Sequence, residues 1–147
     1  MRTRTTRALK DPPRKASKSS PPKHVPTQGL YGWITHTEIA SADPVATKLW
    51  CASVLGWTFQ PPFPVPGGGE YHLFAYSSQG GGGIRGTKPS EQPHTSFSVH
   101  VRDAQEAFDR ALREGAEAIT PPTRVMDGVT IAVVRAPGGV AVGFSGP

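Results

Sequence analysis

Cysteine occurs once in the 147 residues, at Cys51, so the chain can build neither an internal disulfide framework nor a cysteine-based zinc cage. Any metal would have to rest on His and carboxylate ligands. No apolar run approaches the roughly 20 residues of a membrane helix, and the N-terminus lacks the apolar core of a signal peptide. The sequence therefore reads as a soluble, cytoplasmic protein. Charged residues are sparse at 18%, which with 17 glycines and 16 prolines argues against a long helical bundle and for short strands and many turns. The length allows one domain of ordinary size plus a tail.

Acidic residues are nearly missing from the start of the chain. Residues 1–29 hold Arg2, Arg4, Arg7, Lys10, Arg14, Lys15, Lys18 and Lys23 against Asp11 alone, whereas residues 30–147 hold eight basic and ten acidic residues. The net charge of +5 thus belongs to the tail. Its prolines and its scarcity of large apolar side chains leave too little burial to offset chain entropy, so residues 1–29 are expected to be disordered. Polyanion or membrane-surface contact is one reading of that segment, and a plain solubilising extension is the favoured one. The slight negative charge of residues 30–147 argues against nucleic-acid binding by the folded part.

From Leu30 onward the chain runs twice through one plan, as modules at about 33–86 and 94–145. Residues 33–40 alternate as a strand, Asp43-Pro44 caps a helix with Val45, Leu49, Trp50 and Val54 at helical spacing, and Gly56 ends it. Strands are expected at 57–60, 70–77 and 81–86. In the second half residues 94–101 alternate, and Asp103 caps a helix with the apolar stripe Ala104, Ala107, Phe108, Ala111 and Leu112, stopped by Gly115. Strands are expected from 118–119 toward 123, at 129–135 and at 140–144. Each half is β-α-β-β-β, which gives an α+β fold of two modules whose curved sheets surround a cleft with the helices outside. The apolar strand faces must go against the helices. The other faces, rich in His, Glu and Ser, then line the hollow.

The His36-Thr37 strand, the Asp43-Pro44 helix, the exit Leu55-Gly56-Trp57 and the closing Ala136-Pro137-Gly138-Gly139-Val140 resemble the vicinal oxygen chelate superfamily of glyoxalase I, bleomycin and fosfomycin resistance proteins, methylmalonyl-CoA epimerase and extradiol dioxygenases. The resemblance covers about residues 33–145. It implies a homodimer and a divalent metal held by ligands on the first and fourth strands of each module. His36 and His94 match the two first-strand positions, suited to Zn, Ni, Co, Mn or Fe. The fourth-strand positions fall at Gly83 and Gly143, so both carboxylates are replaced by glycine and the site reads as degenerate, with no tightly bound metal the favoured state.

Glu38 shares a strand face with His36 and is the candidate replacement ligand or general base. Tyr71, His72, Phe74, Ser96 and Ser98 are the candidate ligand-binding residues. Cys51, beside Trp50 and away from any base, reads as a buried small side chain. The favoured function is a small-molecule binder of the glyoxalase and bleomycin-resistance type. A metal-dependent lyase, isomerase or dioxygenase using His36 and His94 stays open, as does polyanion binding through the tail.

Overall fold

The computed structural model describes residues 29–147. The basic tail, and any polyanion contact made by it, lies outside the described residues apart from Gly29. The elements follow the order β1 (Ile34–Ser41), α1 (Pro44–Leu55), β2 (Thr58–Phe59), β3 (Phe63–Pro64), β4 (Glu70–Ala75), β5 (Gly81–Gly86), β6 (His94–His100), α2 (Ala104–Arg113), β7 (Glu117–Met126), β8 (Val129–Arg135) and β9 (Ala141–Gly146). No helix among the described residues is long and apolar enough to cross a membrane.

The strands form one mixed sheet in the order β2-β4-β5-β1-β6-β9-β8-β7, with β3 paired to β4 off this path. Within each module the first and last strands pair in parallel, β1 with β5 and β6 with β9. The modules join where β1 and β6 run antiparallel. Both helices lie on the same side. Cys51 of α1 packs with Phe74 and Ile84, supported by Ile39, Trp57 and Phe59. Phe108 of α2 packs with Ala132 and Val134, supported by Ala111, Ala116, Val142 and Phe144.

Both helix starts are set by sequence. The Asp43 carboxylate accepts from the Ala46 amide at 2.9 Å, and the Asp103 carboxylate accepts from the Glu106 amide at 2.9 Å, satisfying donors that a helix otherwise leaves bare. Gly56 closes α1 with φ 68°, a left-handed conformation that a Cβ disfavours.

Three features depart from the sequence reading. The short β3 was not expected. The seventh strand runs to Met126, past Pro121 and Pro122, because it is an outer strand whose register breaks between Thr120 and Thr123, where missing amides do least harm. The apolar stripe of α1 points outward: Val45, Leu49, Trp50 and Val54 are all more than half exposed, and Cys51 alone is buried. The bulky Phe74, Ile84, Trp57 and Phe59 already fill the space above the sheet, so the helix meets them with its small cysteine. Burial pushes the Cys51 thiol pKa up, consistent with a packing role.

Candidate functional site

Strand alternation and register determine which side chains meet on the helix-free face. Opposite residues in a sheet share a face. Across β1 and β6, His36 lies opposite Ser98, Glu38 opposite Ser96 and Ala40 opposite His94. Across β1 and β5, Glu38 lies opposite Gly83 and Ala40 opposite Arg85. Leu73 pairs with Gly83, so Tyr71, two residues earlier, projects on this face as well. The core residues Ile39, Ile84 and Phe74 occupy the other face.

A continuous polar cluster results. His36 Nε2 lies 2.9 Å from the Tyr71 hydroxyl, which donates a longer bond of 3.4 Å to Glu38 Oε2. Tyr71 has one phenolic proton and an ionised carboxylate only accepts. The arrangement that satisfies both contacts has neutral His36 donating from Nε2 to the phenolic oxygen. Arg85 Nε donates to Glu38 Oε1 at 2.8 Å, and its two terminal nitrogens donate to Glu91 at 2.7 and 2.9 Å. Glu91 also accepts from the Lys88 amide at 2.7 Å. The Phe63 ring packs against Tyr71, centroids 5.5 Å apart.

The electrostatics follow from these contacts. Burial holds the His36 pKa below its ordinary value, against the opposing pull of Glu38. Burial, reinforced by the Glu38 charge and hydrogen bond, drives the Tyr71 phenol well above its ordinary range. Hydrogen bonding to Glu91 raises the Arg85 pKa further. The same bond, with the Lys88 amide behind it, brings Glu91 down to about 2. At neutral pH the cluster therefore presents a neutral imidazole, an un-ionised phenol and a cation held between two carboxylates.

The two modules match in sequence at a step of sixty residues at their helix caps and along their paired first and last strands. Asp43 and Asp103 cap the helices, and Glu38 pairs with Gly83 as Ser98 pairs with Gly143. By that step the counterpart of His36 is Ser96. His94 is two residues off. It sits opposite Ala40, four positions along β1 from His36, or about 13 Å by strand rise. Its Nδ1 contacts the Gln92 carbonyl at 2.9 Å, and its Nε2 lies 3.8 Å from Glu91. The expected pairing of His36 with His94 is thus corrected by the register. His72 and Phe74 are corrected as well. Both project to the helix side, where Phe74 is core and His72 is 3% exposed with Nδ1 lacking a partner among the described residues.

The residues present do not fit a divalent metal. Of the four positions that the resemblance assigns to metal ligands, His36 and His94 stand about 13 Å apart along the sheet, and Gly83 and Gly143 supply no side chain. A Cβ on Gly83 would land in the Tyr71 ring, and one on Gly143 would land on the Ser98 hydroxyl. Tyr71 and Ser98 therefore fill the volumes through which carboxylates at 83 and 143 would project. Among the described residues, no group of three or more His, Cys, Asp or Glu is placed to hold an ion. Zinc sites ordinarily need three or four such donors.

Arg85 and Glu91 were missed by sequence reasoning. Arg85 had a signal, since it lies two residues beyond Gly83 and hence on the same face. Glu91 lies in the loop between β5 and β6, which no periodicity orients. A separate hollow of about 370 Å³, lined by residues including Leu55, Trp57, Thr58 and Tyr76, opens at the β2 edge and contains none of the cluster.

Comparison with known proteins gives the following. The family model described as Glyoxalase/Bleomycin resistance protein/Dioxygenase superfamily matches residues 33–144. No curated protein matches the chain. Among solved structures, methylmalonyl-CoA epimerase from Mycobacterium tuberculosis is similar at 18% identity and TM-score 0.63, covering 84% of this chain and 93% of that one. A hypothetical protein from Bacillus halodurans C-125 is similar at 15% identity and TM-score 0.62, covering 77% and 92%. A variant of 4-hydroxymandelate synthase from Streptomyces coelicolor aligns at 18% identity and TM-score 0.61, covering 78% of this chain but 38% of that one. At these identities the likeness establishes the fold.

Proposed function

The chain belongs to the Glyoxalase/Bleomycin resistance protein/Dioxygenase superfamily, and on that premise we propose that it is a metal-independent binder of a small organic ligand. The supporting observation is the Tyr71 ring standing where a residue-83 ligand would project, with its hydroxyl on His36. A phenol and an imidazole locked together in this way offer hydrogen bonds to a ligand's polar atoms. Ser96 and Ser98 extend the same polar face across the module boundary. Glu38 uses one oxygen on Arg85 and the other on Tyr71, so in this reading it orients those groups and is not a free general base.

The test is ligand-observed and protein-observed NMR with a library of small organic fragments, run with and without EDTA. Fragments are expected to shift the His36 and Tyr71 side-chain resonances equally in both conditions, and to stop binding when Tyr71→Ala is introduced. Binding that requires added divalent metal would instead favour the lyase, isomerase or dioxygenase reading and remove this one.

A further inference from the structure

A trough crosses the module boundary on the helix-free face. Register places Ala75, Gly81, His36, Ser98, Gly143 and Val133 in one row over six adjacent strands from β4 to β8, about 24 Å at the usual strand spacing. Before Val133, only His36 and Ser98 in this row are larger than a methyl group. The rows on either side are taller. Leu73, the Tyr71 ring and Glu38 form one bank, and His100 and Ile131 stand on the other, with the Tyr31 ring stacked on His100 at 5.2 Å. The far end is apolar, since Ile131 and Val133 face this side while Ala132 and Val134 enter the core beneath α2.

The charges beside the trough are already paired. Arg85 is bonded to both Glu38 and Glu91, and the second oxygen of Glu38 is on Tyr71. Arg135 of β8 is three strands from β1, about 14 Å, where it lies 4.0 Å from Glu117 and donates to the Gly139 carbonyl. Arg102 sits beyond the end of β6, over the Tyr31 ring at 4.0 Å. His94 is held near Glu91, about 13 Å from His36. Among the described residues, therefore, no cation stands in the trough to meet a carboxylate or phosphate, and an anion buried without a partner is costly. The trio of Arg85, Glu38 and Glu91 also carries one net negative charge, which repels an anion. A ligand cation would have to draw Glu38 away from Arg85.

The two polar groups on the floor ask for a donor and an acceptor side by side. With Nε2 donating to Tyr71, the His36 ring presents Nδ1 as an acceptor, and the Ser98 hydroxyl directly across the strand pair can donate. Neither atom has a hydrogen-bond partner among the described residues. Opposite side chains start about 5 Å apart, so one compact group can reach both. A carboxamide supplies an N–H beside a C=O. A carboxylate has no proton for Nδ1, and an amidinium has no acceptor for Ser98.

We propose that the ligand is a flat, uncharged aromatic amide lying along this trough, its N–H on His36 Nδ1, its carbonyl on the Ser98 hydroxyl and its ring over Gly143 toward Val133. The inference rests on the metal-independent reading of the site and narrows it to one chemical class.

Benzamide, benzoate and benzamidine share a shape and differ in charge and donors, which makes them suitable probes. Each is titrated into the full chain in EDTA at pH 7, and dissociation constants are read from the backbone amide shifts of β1, β6 and β9. Benzamide is expected to bind at least about tenfold more tightly than either charged analogue, the cost of leaving one polar group unsatisfied. Ser98→Ala is expected to weaken benzamide about tenfold with an unchanged melting temperature. Benzoate or benzamidine binding as tightly as benzamide overturns the inference, as does benzamide binding that ignores Ser98→Ala or is absent altogether. In each of those cases the metal-independent reading still stands on any other fragment that binds in EDTA. Binding of the probes only after Zn²⁺ is added removes both.

Discussion

Gly83→Ala is expected to destabilise the protein by about 3 kcal/mol or more, but to add only about 1 kcal/mol of further loss when Tyr71→Ala is already present in the same chain. The added methyl has nowhere to go while the Tyr71 ring occupies its position, and overpacking a closed site forces backbone or rotamer shifts. Tyr71→Ala alone removes the ring and strips His36 and Glu38 of a partner, a loss of about 2–4 kcal/mol. The two changes should therefore be strongly non-additive, with a coupling of about 2 kcal/mol in urea denaturation. Gly82→Ala is the control, since its Cβ would strike the Thr37 backbone carbonyl. Tyr71→Ala gives it no relief. Additive losses for Gly83→Ala and Tyr71→Ala would mean that the ring does not fill the residue-83 volume.

The second large effect is at Arg85. Its side chain is 16% exposed and is the ion-pair partner of two carboxylates, Glu38 at 2.8 Å and Glu91 at 2.7 Å. Arg85→Met is expected to cost about 3 kcal/mol at pH 7, since removing one partner of a largely buried ion cluster leaves charge without an answer. The pH dependence has a definite sign. The folded Glu91 carboxyl titrates at about 2, against about 4.5 for an unperturbed group. Its contribution in the wild type is therefore complete above about pH 4.5 and disappears as pH falls toward 2. In Arg85→Met the larger part of that contribution is missing, the Lys88 amide bond alone remaining from the contacts described, so the gap between the two proteins should narrow below about pH 4.5. Chemical denaturation at pH 7 and pH 4 reads this directly. A gap that widens on acidification would show that the ion cluster is not the source of the loss.

The fold was legible because its cues are local and repeated. Asp43 and Asp103 each announce a helix start, and strands of alternating character precede both. The polar face of β1 and β6 could be read from alternation alone. The site was harder, for three physical reasons. His94 attracted attention as an imidazole, yet the spacing of Asp43 to Asp103 and of Gly83 to Gly143 already pointed to Ser96 as the partner position of His36. A two-residue slip keeps the face and loses the contact. The phase of β4 was ambiguous because aromatic residues lie on both of its sides, Tyr71 toward the polar cluster and Phe74 in the core. The inward side of α1 could not be inferred from a helix that is apolar around most of its circumference, and Cys51 faces the sheet because it is small.

The proposed metal-independent reading rests on one substitution: at Gly83 and Gly143, where the family resemblance would put carboxylate ligands, the space beside the backbone is taken by the Tyr71 ring and the Ser98 hydroxyl. Protein purified without an affinity tag, equilibrated with excess Zn²⁺ or Ni²⁺, desalted and measured by inductively coupled plasma mass spectrometry tests that substitution most directly. Retention well below one equivalent, unchanged by His36→Ala, is the expected result. One equivalent per chain that is lost in His36→Ala would contradict it.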